Sequence, residues 1–193
     1  MLSCAAMPFS ASAALSLLLL GILGTLFFRI PLRFPPQSEG LFLSPADGKV
    51  VGVDVIDEPH FVKASCQRIS IFLSIFDVHM NYAPTAGVID WIGYEKGRFH
   101  WAFEPKASAS NENQRIGIVS KGAGKILVRQ IAGAVARRIV LFKKAQEQVA
   151  QGERIGMIRF GSRVEAYLPM GSTINVQVGD RVKGGLTVLA QIV

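Results

Sequence analysis

Charge is missing from the start of this 193-residue chain: no Lys, Arg, Asp or Glu occurs between Met1 and Phe28. Ala11 to Phe28 is almost wholly apolar, and eighteen such residues in a helix rise about 27 Å, near the thickness of a hydrocarbon core. A cleaved leader and a buried core helix are the alternatives. No basic residue precedes the run, and Phe27-Phe28-Arg29 rather than small residues follows it, which disfavours the leader. Cys4 lies before the run, so Leu2-Ser3-Cys4 is not a lipoprotein site. The expectation is a retained membrane-anchor helix.

Other absences narrow the function. With Cys4 and Cys66 as the two cysteines there is no disulfide framework, which fits a reducing compartment. His60, His79 and His100 lack metal-ligand spacing, so no metal site is expected. The piece Gly122-Ala123-Gly124-Lys125 lacks the spacing of a phosphate loop, and no Gly-x-Ser-x-Gly surrounds a serine as in many hydrolases. The long heptad hairpin of membrane-fusion adaptors is also missing.

What is present is basic, with a formal net charge of +7. Lys and Arg are scattered and no nucleic-acid motif stands out, so an anionic membrane surface is the expected partner and nucleic acid is not. Arg29 and Arg33 follow the apolar run, and Pro31, Pro35 and Pro36 end any helix there. Positive charge on that flank favours a body on the cytoplasmic face of the cell membrane. Residues 1–36 therefore read as anchor and Pro-rich linker, and residues 37–193 as one domain.

That domain reads as mainly β. Candidate strands such as Lys49–Val55, Arg68–Ser74, Val164–Leu168 and Leu186–Ile192 recur about every ten residues with glycine between them. Lys143–Gln151 has the composition of a short helix or a turn. An internal repeat relates Glu147–Ile155 to Asp180–Val188 at an offset of 33 residues, with acid, valine, glycine and a β-branched residue in register. The repeat resembles the turn of lipoyl-like domains, which implies a barrel-sandwich hybrid. Neither copy has the methionine-flanked lysine of a carrier domain.

The most informative bond is Gly161–Ser162, within Gly-Met-Ile-Arg-Phe-Gly-Ser-Arg-Val-Glu-Ala-Tyr-Leu-Pro, whose alternation reads as a half-buried strand. Glycine reaches backbone angles closed to other residues, so the carbonyl before Ser162 can be held exposed to its hydroxyl. A glycine bulge beside an ordinary serine is the plain alternative. The stretch resembles the self-cleavage site of the short-form phosphatidylserine decarboxylases. Leu43-Ser44-Pro45-Ala46-Asp47-Gly48 and Asp77-Val78-His79-Met80 resemble two further family segments, and the likeness runs from Phe28 to the end.

The resemblance implies a catalytic set of Ser162, His79 and Asp47, with His79 as the base that Asp47 orients. It implies cleavage between Gly161 and Ser162 into a β chain of residues 1–161 and an α chain of residues 162–193. Ser162 then becomes a covalent pyruvoyl cofactor that serves decarboxylation of phosphatidylserine to phosphatidylethanolamine. Longer members carry a second histidine where Phe76 stands, so no role for it transfers. Phe99, His100 and Trp101 are candidates for a substrate pocket or for packing. Arg163 is a candidate for holding phosphate or carboxylate, or a solvent-facing strand residue. Gly171-Ser172-Thr173 is a second candidate cleavage site, set in a turn-like flank. A decarboxylase of a related archaeal-type serine lipid, a non-enzymatic membrane-anchored lipoyl-like adaptor and a homo-oligomer are left open.

Overall fold

The computed structural model describes residues 10–100, 108, 110–134, 138–158 and 161–192. Its one long helix, α1 (Ala11–Phe27), begins at Ser10, whose hydroxyl accepts the Ala13 N–H at 3.3 Å. It ends at Phe28, and the Arg29 guanidinium caps the Leu26 carbonyl at 2.7 Å. Leucines on every side of α1 are exposed, and Phe27 alone is buried, so the β body covers none of the helix but its last turn. The membrane-anchor helix expected from the apolar run is not supported by the structure. Seventeen helical residues rise about 25 Å, and among the described residues no helix is long and apolar enough to cross a membrane.

The body is mainly β, as its glycine-punctuated runs predict. In chain order the strands are β1 (Leu41–Leu43), β2 (Gly48–Glu58), β3 (Ala64–Leu73), β4 (Met80–Tyr82), β5 (Gly87–Glu95), β6 (Asn113–Ser120) and β7 (Gly124–Ile131). They continue as β8 (Ile139–Leu141), β9 (Gln148–Val149), β10 (Arg154–Ile158), β11 (Ser162–Pro169), β12 (Thr173–Ile174), β13 (Arg181–Val182) and β14 (Val188–Gln191). All pair antiparallel, in an eight-stranded sheet ordered β13-β2-β3-β11-β7-β6-β5-β9 and two three-stranded sheets, β1-β14-β12 and β4-β10-β8. The candidate helix at Lys143–Gln151 is a turn followed by β9.

The period of two sorts side chains to the core. Ile69, Ile71 and Leu73 of β3, Ile116 and Ile118 of β6, Ile126 and Val128 of β7, and Val164, Ala166 and Leu168 of β11 are all buried in one cluster with Phe42, Ile155 and Leu189 from the smaller sheets. A second, smaller cluster of Phe61, Cys66, Leu127 and Tyr167 packs on the outer face of the large sheet. Burial pushes the Cys66 thiol up to about 11, which leaves it an inert packing group.

The internal repeat is real in three dimensions. β9 with its turn into β10 and β13 with its turn into β14 occupy the two edges of the large sheet, pairing with β5 and β2. Gly152 and Gly185, 33 residues apart, both adopt left-handed backbone, φ +73° and +69°. Their N–H groups donate to the carbonyls of Ala83 and Ser44 at 2.9 and 2.8 Å. Val50 and Ile89 each donate to the acid that opens a copy, Asp180 and Glu147, at 2.9 Å. The partner segments repeat as well: Ser44-Pro45-Ala46-Asp47-Gly48 corresponds to Ala83-Pro84-Thr85-Ala86-Gly87. The β body thus has two equivalent corners, and an aspartate stands at only one of them. Gly185→Ala should cost about 1–3 kcal/mol through the strained φ, lowering Tm by several degrees. Gly122→Ala, in open space, should leave thermal unfolding unchanged when both are measured by circular dichroism.

Candidate active site

Gly161 and Ser162 open β11, the strand gripped on both edges. Ser162 pairs with Leu73 of β3, and Arg163 pairs with Phe72 of β3 and Ile131 of β7. Gly161 takes φ +63°, a conformation that favours glycine, and an added Cβ there would meet nothing within 4 Å. Ser162 is fully buried, and its hydroxyl has no hydrogen-bond partner among the described residues. An orphaned buried hydroxyl is costly, and the Tyr82 and Ser172 hydroxyls share this state among the described residues.

His79 stands at the entrance to β4, after a turn closed by Asp77. The Asp77 carboxylate accepts the Ser74 N–H at 2.8 Å, the Ser74 hydroxyl at 2.7 Å and Arg181 at 3.0 Å. The His79 carbonyl accepts from Ile158, the last residue of β10, at 3.2 Å. Its ring reaches the same approach, where Nε2 accepts the Gly161 N–H at 3.3 Å. Accepting there makes Nε2 the unprotonated nitrogen, so Nδ1 carries the proton and donates to the Asp77 carbonyl at 2.9 Å. The Phe27 ring, from the end of α1, lies 4.3 Å from the imidazole, and His79 is 1% exposed. Burial pulls the imidazole below its ordinary 6.5, with Arg29 in the same direction and Asp77 and Asp47 opposing. A neutral imidazole therefore sits against the backbone of the residue that precedes Ser162.

Asp47 is placed differently from expectation. Among the described residues it makes no hydrogen bond to His79; the Asp77 carbonyl sets the ring's tautomer instead. The Asp47 carboxylate accepts both arms of the Arg33 guanidinium, at 2.6 and 2.8 Å, and the Gly184 N–H at 2.7 Å. Its influence on His79 is a charge felt through space.

Arg163 also departs from its reading as a solvent-facing or substrate-facing arginine. Strand alternation turns it to the face opposite Ser162, where it is buried beside Glu165 and Tyr167. It donates to the Ser108 hydroxyl at 2.7 Å; Ser108 and Tyr167 donate to the Glu165 carboxylate at 2.6 and 2.8 Å. Arg68 and Arg129 lie 3.8 and 3.7 Å from the same carboxylate. β11 is therefore buried on both faces, not half-buried. Phe99 and His100 lie on the segment that Asn111 pins, its side chain bonding the His100 N–H and carbonyl, each at 2.8 Å. No contact joins either residue to Ser162 among those described, and Trp101 lies outside them. Ser172 sits beyond the far end of β11, about 25 Å of extended strand from His79.

Two residues escaped the sequence reading. Asn81 shares the His79 side of β4, and Gln130 of β7 lies opposite Val164; both are buried and joined by a 2.8 Å hydrogen bond. Asn81 Nδ2 and Gln130 Oε1 have no partner among the described residues. Asn-Tyr after His-Met and Gln inside an apolar run were the visible signals. A cavity of about 740 Å³ lies elsewhere, between Gln37–Gly40, Thr85–Val88 and Gln148–Gln151.

The buried imidazole has a consequence for stability. With a folded pKa below the ordinary 6.5, the unfolded chain binds the proton first. This contribution is intact above 6.5 and lost as pH falls toward the lowered folded value. His79→Gln should therefore narrow the Tm difference between about pH 7 and pH 5 seen in the parent by thermal melts.

Known proteins supply the context. Residues 20–190 match the family model described as phosphatidylserine decarboxylase. A phosphatidylserine decarboxylase proenzyme of Desulfotalea psychrophila is 42% identical over 167 residues, covering 86% of this chain and 78% of its own length. Its namesake in Carboxydothermus hydrogenoformans is 46% identical over 167 residues, with 86% and 78% covered. The Amoebophilus asiaticus protein of that name is 40% identical over 183 residues, 95% of this chain and 81% of its own. With the match spanning the whole β body and the end of α1, the chain belongs to the phosphatidylserine decarboxylase family.

Proposed function

We propose that this enzyme is a proenzyme which cuts itself at Gly161–Ser162 and then decarboxylates phosphatidylserine to phosphatidylethanolamine with a pyruvoyl group made from Ser162. The observation that carries the reading is His79 Nε2, unprotonated and 3.3 Å from the Gly161 nitrogen, beside a buried serine hydroxyl with no partner.

The chemistry uses groups already at hand. Once the Gly161 amide swings off Nε2, the imidazole takes the Ser162 proton and the oxygen adds to the Gly161 carbonyl. The C–N bond breaks, the nitrogen takes the proton, and an ester links the two residues. Removal of the Ser162 α-proton then expels the Gly161 carboxylate by β-elimination, a far better leaving group than hydroxide. The dehydroalanine left at position 162 tautomerises, and water releases its nitrogen as ammonia. The left-handed turn at Gly161, with no neighbour around its missing Cβ, supports the swing.

Position 162 suits a ketone: it is buried, its side-chain oxygen has no partner among the described residues, and its pairing with β3, continued by Arg163 between β3 and β7, keeps it in the sheet when residue 161 departs. A pyruvoyl carbonyl there supplies the electron sink for the pair left when carbon dioxide departs. Around it, His79 holds the proton to be returned to carbon, and the Phe27 ring keeps water from the imidazole. Arg163 braces β11 from behind through Ser108 rather than touching the reacting atoms.

The substrate sits in a membrane, and the exposed apolar surface suits that. Leu15 to Leu26 of α1, Leu32 and Phe34 of the linker, and Ile75 and Phe76 beside His79 all present side chains to solvent. With the net charge of +7 drawn to anionic headgroups, this exposed apolar surface delivers the site to the cytoplasmic face of the cell membrane. The adaptor reading loses its ground to the family membership.

Ser162→Ala should remain a single full-length chain by intact mass and lose decarboxylation, whereas the parent runs as two pieces; a fragment starting at 172, or an uncut active variant, overturns the reading. Leu18→Glu with Leu20→Glu should weaken sedimentation with phosphatidylglycerol vesicles at least tenfold while the protein still cuts itself.

A further inference from the structure

The linker after α1 makes contacts that its composition does not announce. Arg33 reads as the positive flank of an apolar helix, yet its side chain is 8% exposed and is spent inside the protein. Its two terminal nitrogens grip both oxygens of Asp47 at 2.6 and 2.8 Å, one also donates to the Gly184 carbonyl at 2.5 Å, and the guanidinium lies 5.1 Å over the Tyr82 ring. Gly184 answers by donating its own N–H to Asp47. Six residues earlier, Phe27 covers the His79 ring, and between them Arg29 bonds the Phe76 carbonyl at 2.6 Å, in the turn that leads to His79. The segment from Phe27 to Arg33 thus runs as a strap across both side chains that matter.

We infer that Arg33 is a positioning residue: its fork fixes the Asp47 carboxylate against the Gly184 turn and balances its charge, so that His79 faces a neutral pair rather than a bare anion. The inference rests on His79 being the base of the reaction proposed above. Bidentate pairing sets the plane of the carboxylate as well as its distance, which a lysine cannot do. Arg33 responds to the same contact, its pKa raised chiefly by the hydrogen bond to Asp47. The charges facing His79 are Asp77 from its own turn, Arg29 from the strap and Asp47 from the β1–β2 corner. Asp77 is occupied by Ser74 and Arg181, so Asp47 is the charge whose effect depends on Arg33.

The test reads His79 itself. In uncut full-length Ser162→Ala protein, the histidine ring signals are followed by NMR against pH, with His79 assigned by its loss in His79→Gln. Arg33→Met should raise the His79 midpoint by about half a unit to one unit, because Asp47 is left unbalanced. Asp47→Asn should lower it, the double variant should return near the parent value, and Arg33→Lys should fall between parent and Arg33→Met. Opposite shifts that cancel are not what loosening the fold produces. The inference is overturned if Arg33→Met and Asp47→Asn leave the midpoint unchanged, move it the same way, or move His60 and His100 along with it. Should Arg33→Met fail to fold by near-ultraviolet circular dichroism, Asp47→Asn decides: a lowered midpoint supports the inference and an unmoved one overturns it. Since no cleavage is needed for this readout, a wild-type chain that never cuts itself defeats the proposed function alone. A flat titration in a protein that cuts and decarboxylates defeats the role of Arg33 alone.

Discussion

Backbone pairing along both edges of β11 is the constraint on which the rest of the molecule depends. Eight residues of β11 are in register with β3 and five, from Arg163 onward, with β7, so the strand is fixed from two sides one residue after Ser162, which itself pairs with Leu73 alone. Both faces are also covered: Val164, Ala166 and Leu168 meet the core, while Arg163, Glu165 and Tyr167 meet Ser108 and the outer cluster. A strand held this completely keeps its end in place whichever bonds precede it. Position 161 has the opposite character, a left-handed glycine with open space around it. The proposed chemistry needs both, a firm acceptor on one side of the bond and freedom on the other.

The two corners of the β body frame the candidate site. Ser44–Gly48 and Ala83–Gly87 are equivalent pieces of backbone, each received by a left-handed glycine from a repeat copy. At the second corner Ala86 takes the place of Asp47, and Gln151 is used to fix the linker, bonding the Ser38 N–H and the Leu41 carbonyl. Symmetry supplies the frame, and departures from it supply the function. The stretch ending in His79 belongs to neither repeat copy; it bridges β3 to the small sheet that carries the chain toward Gly161.

Much of the frame was legible because it depends on local rules. Alternating apolar residues, glycines every ten positions and a repeat at an offset of 33 led to a β body with paired turns, and both glycines of the repeat do take the same conformation. The closeness of His79 and Gly161 is consistent with the resemblance, although nothing in the spacing of 82 residues announces it. The remainder was hidden for physical reasons. The partner of Nδ1 is a main-chain carbonyl, which every residue possesses and no side-chain pattern reveals. Arg33, between Leu32 and Phe34, follows a hydrophobic helix, where a basic residue ordinarily faces headgroups. Glu165 and Arg163 alternate with apolar residues as solvent-facing positions do; partners distant in the chain, Ser108, Arg68 and Arg129 among them, help to make them interior. The apolar run was long enough on paper, but Phe28 leaves the helix, and the last turn belongs to the protein rather than to lipid.

Strand order carries a further implication for the severed molecule. In the piece from residue 162 onward, β11 finds its neighbours in β3 and β7, β13 finds its neighbour in β2, and β14 leans on β1; only β12 with β14 is internal. Such a peptide has almost no hydrogen-bonded partner of its own. After the proposed cut, two unfolded pieces would meet again only by diffusion, so recovery would become second order in concentration where the uncut precursor refolds at a rate indifferent to dilution. Maturation on this architecture would be a one-way passage, from a chain that can rebuild itself to an assembly that survives by never coming apart.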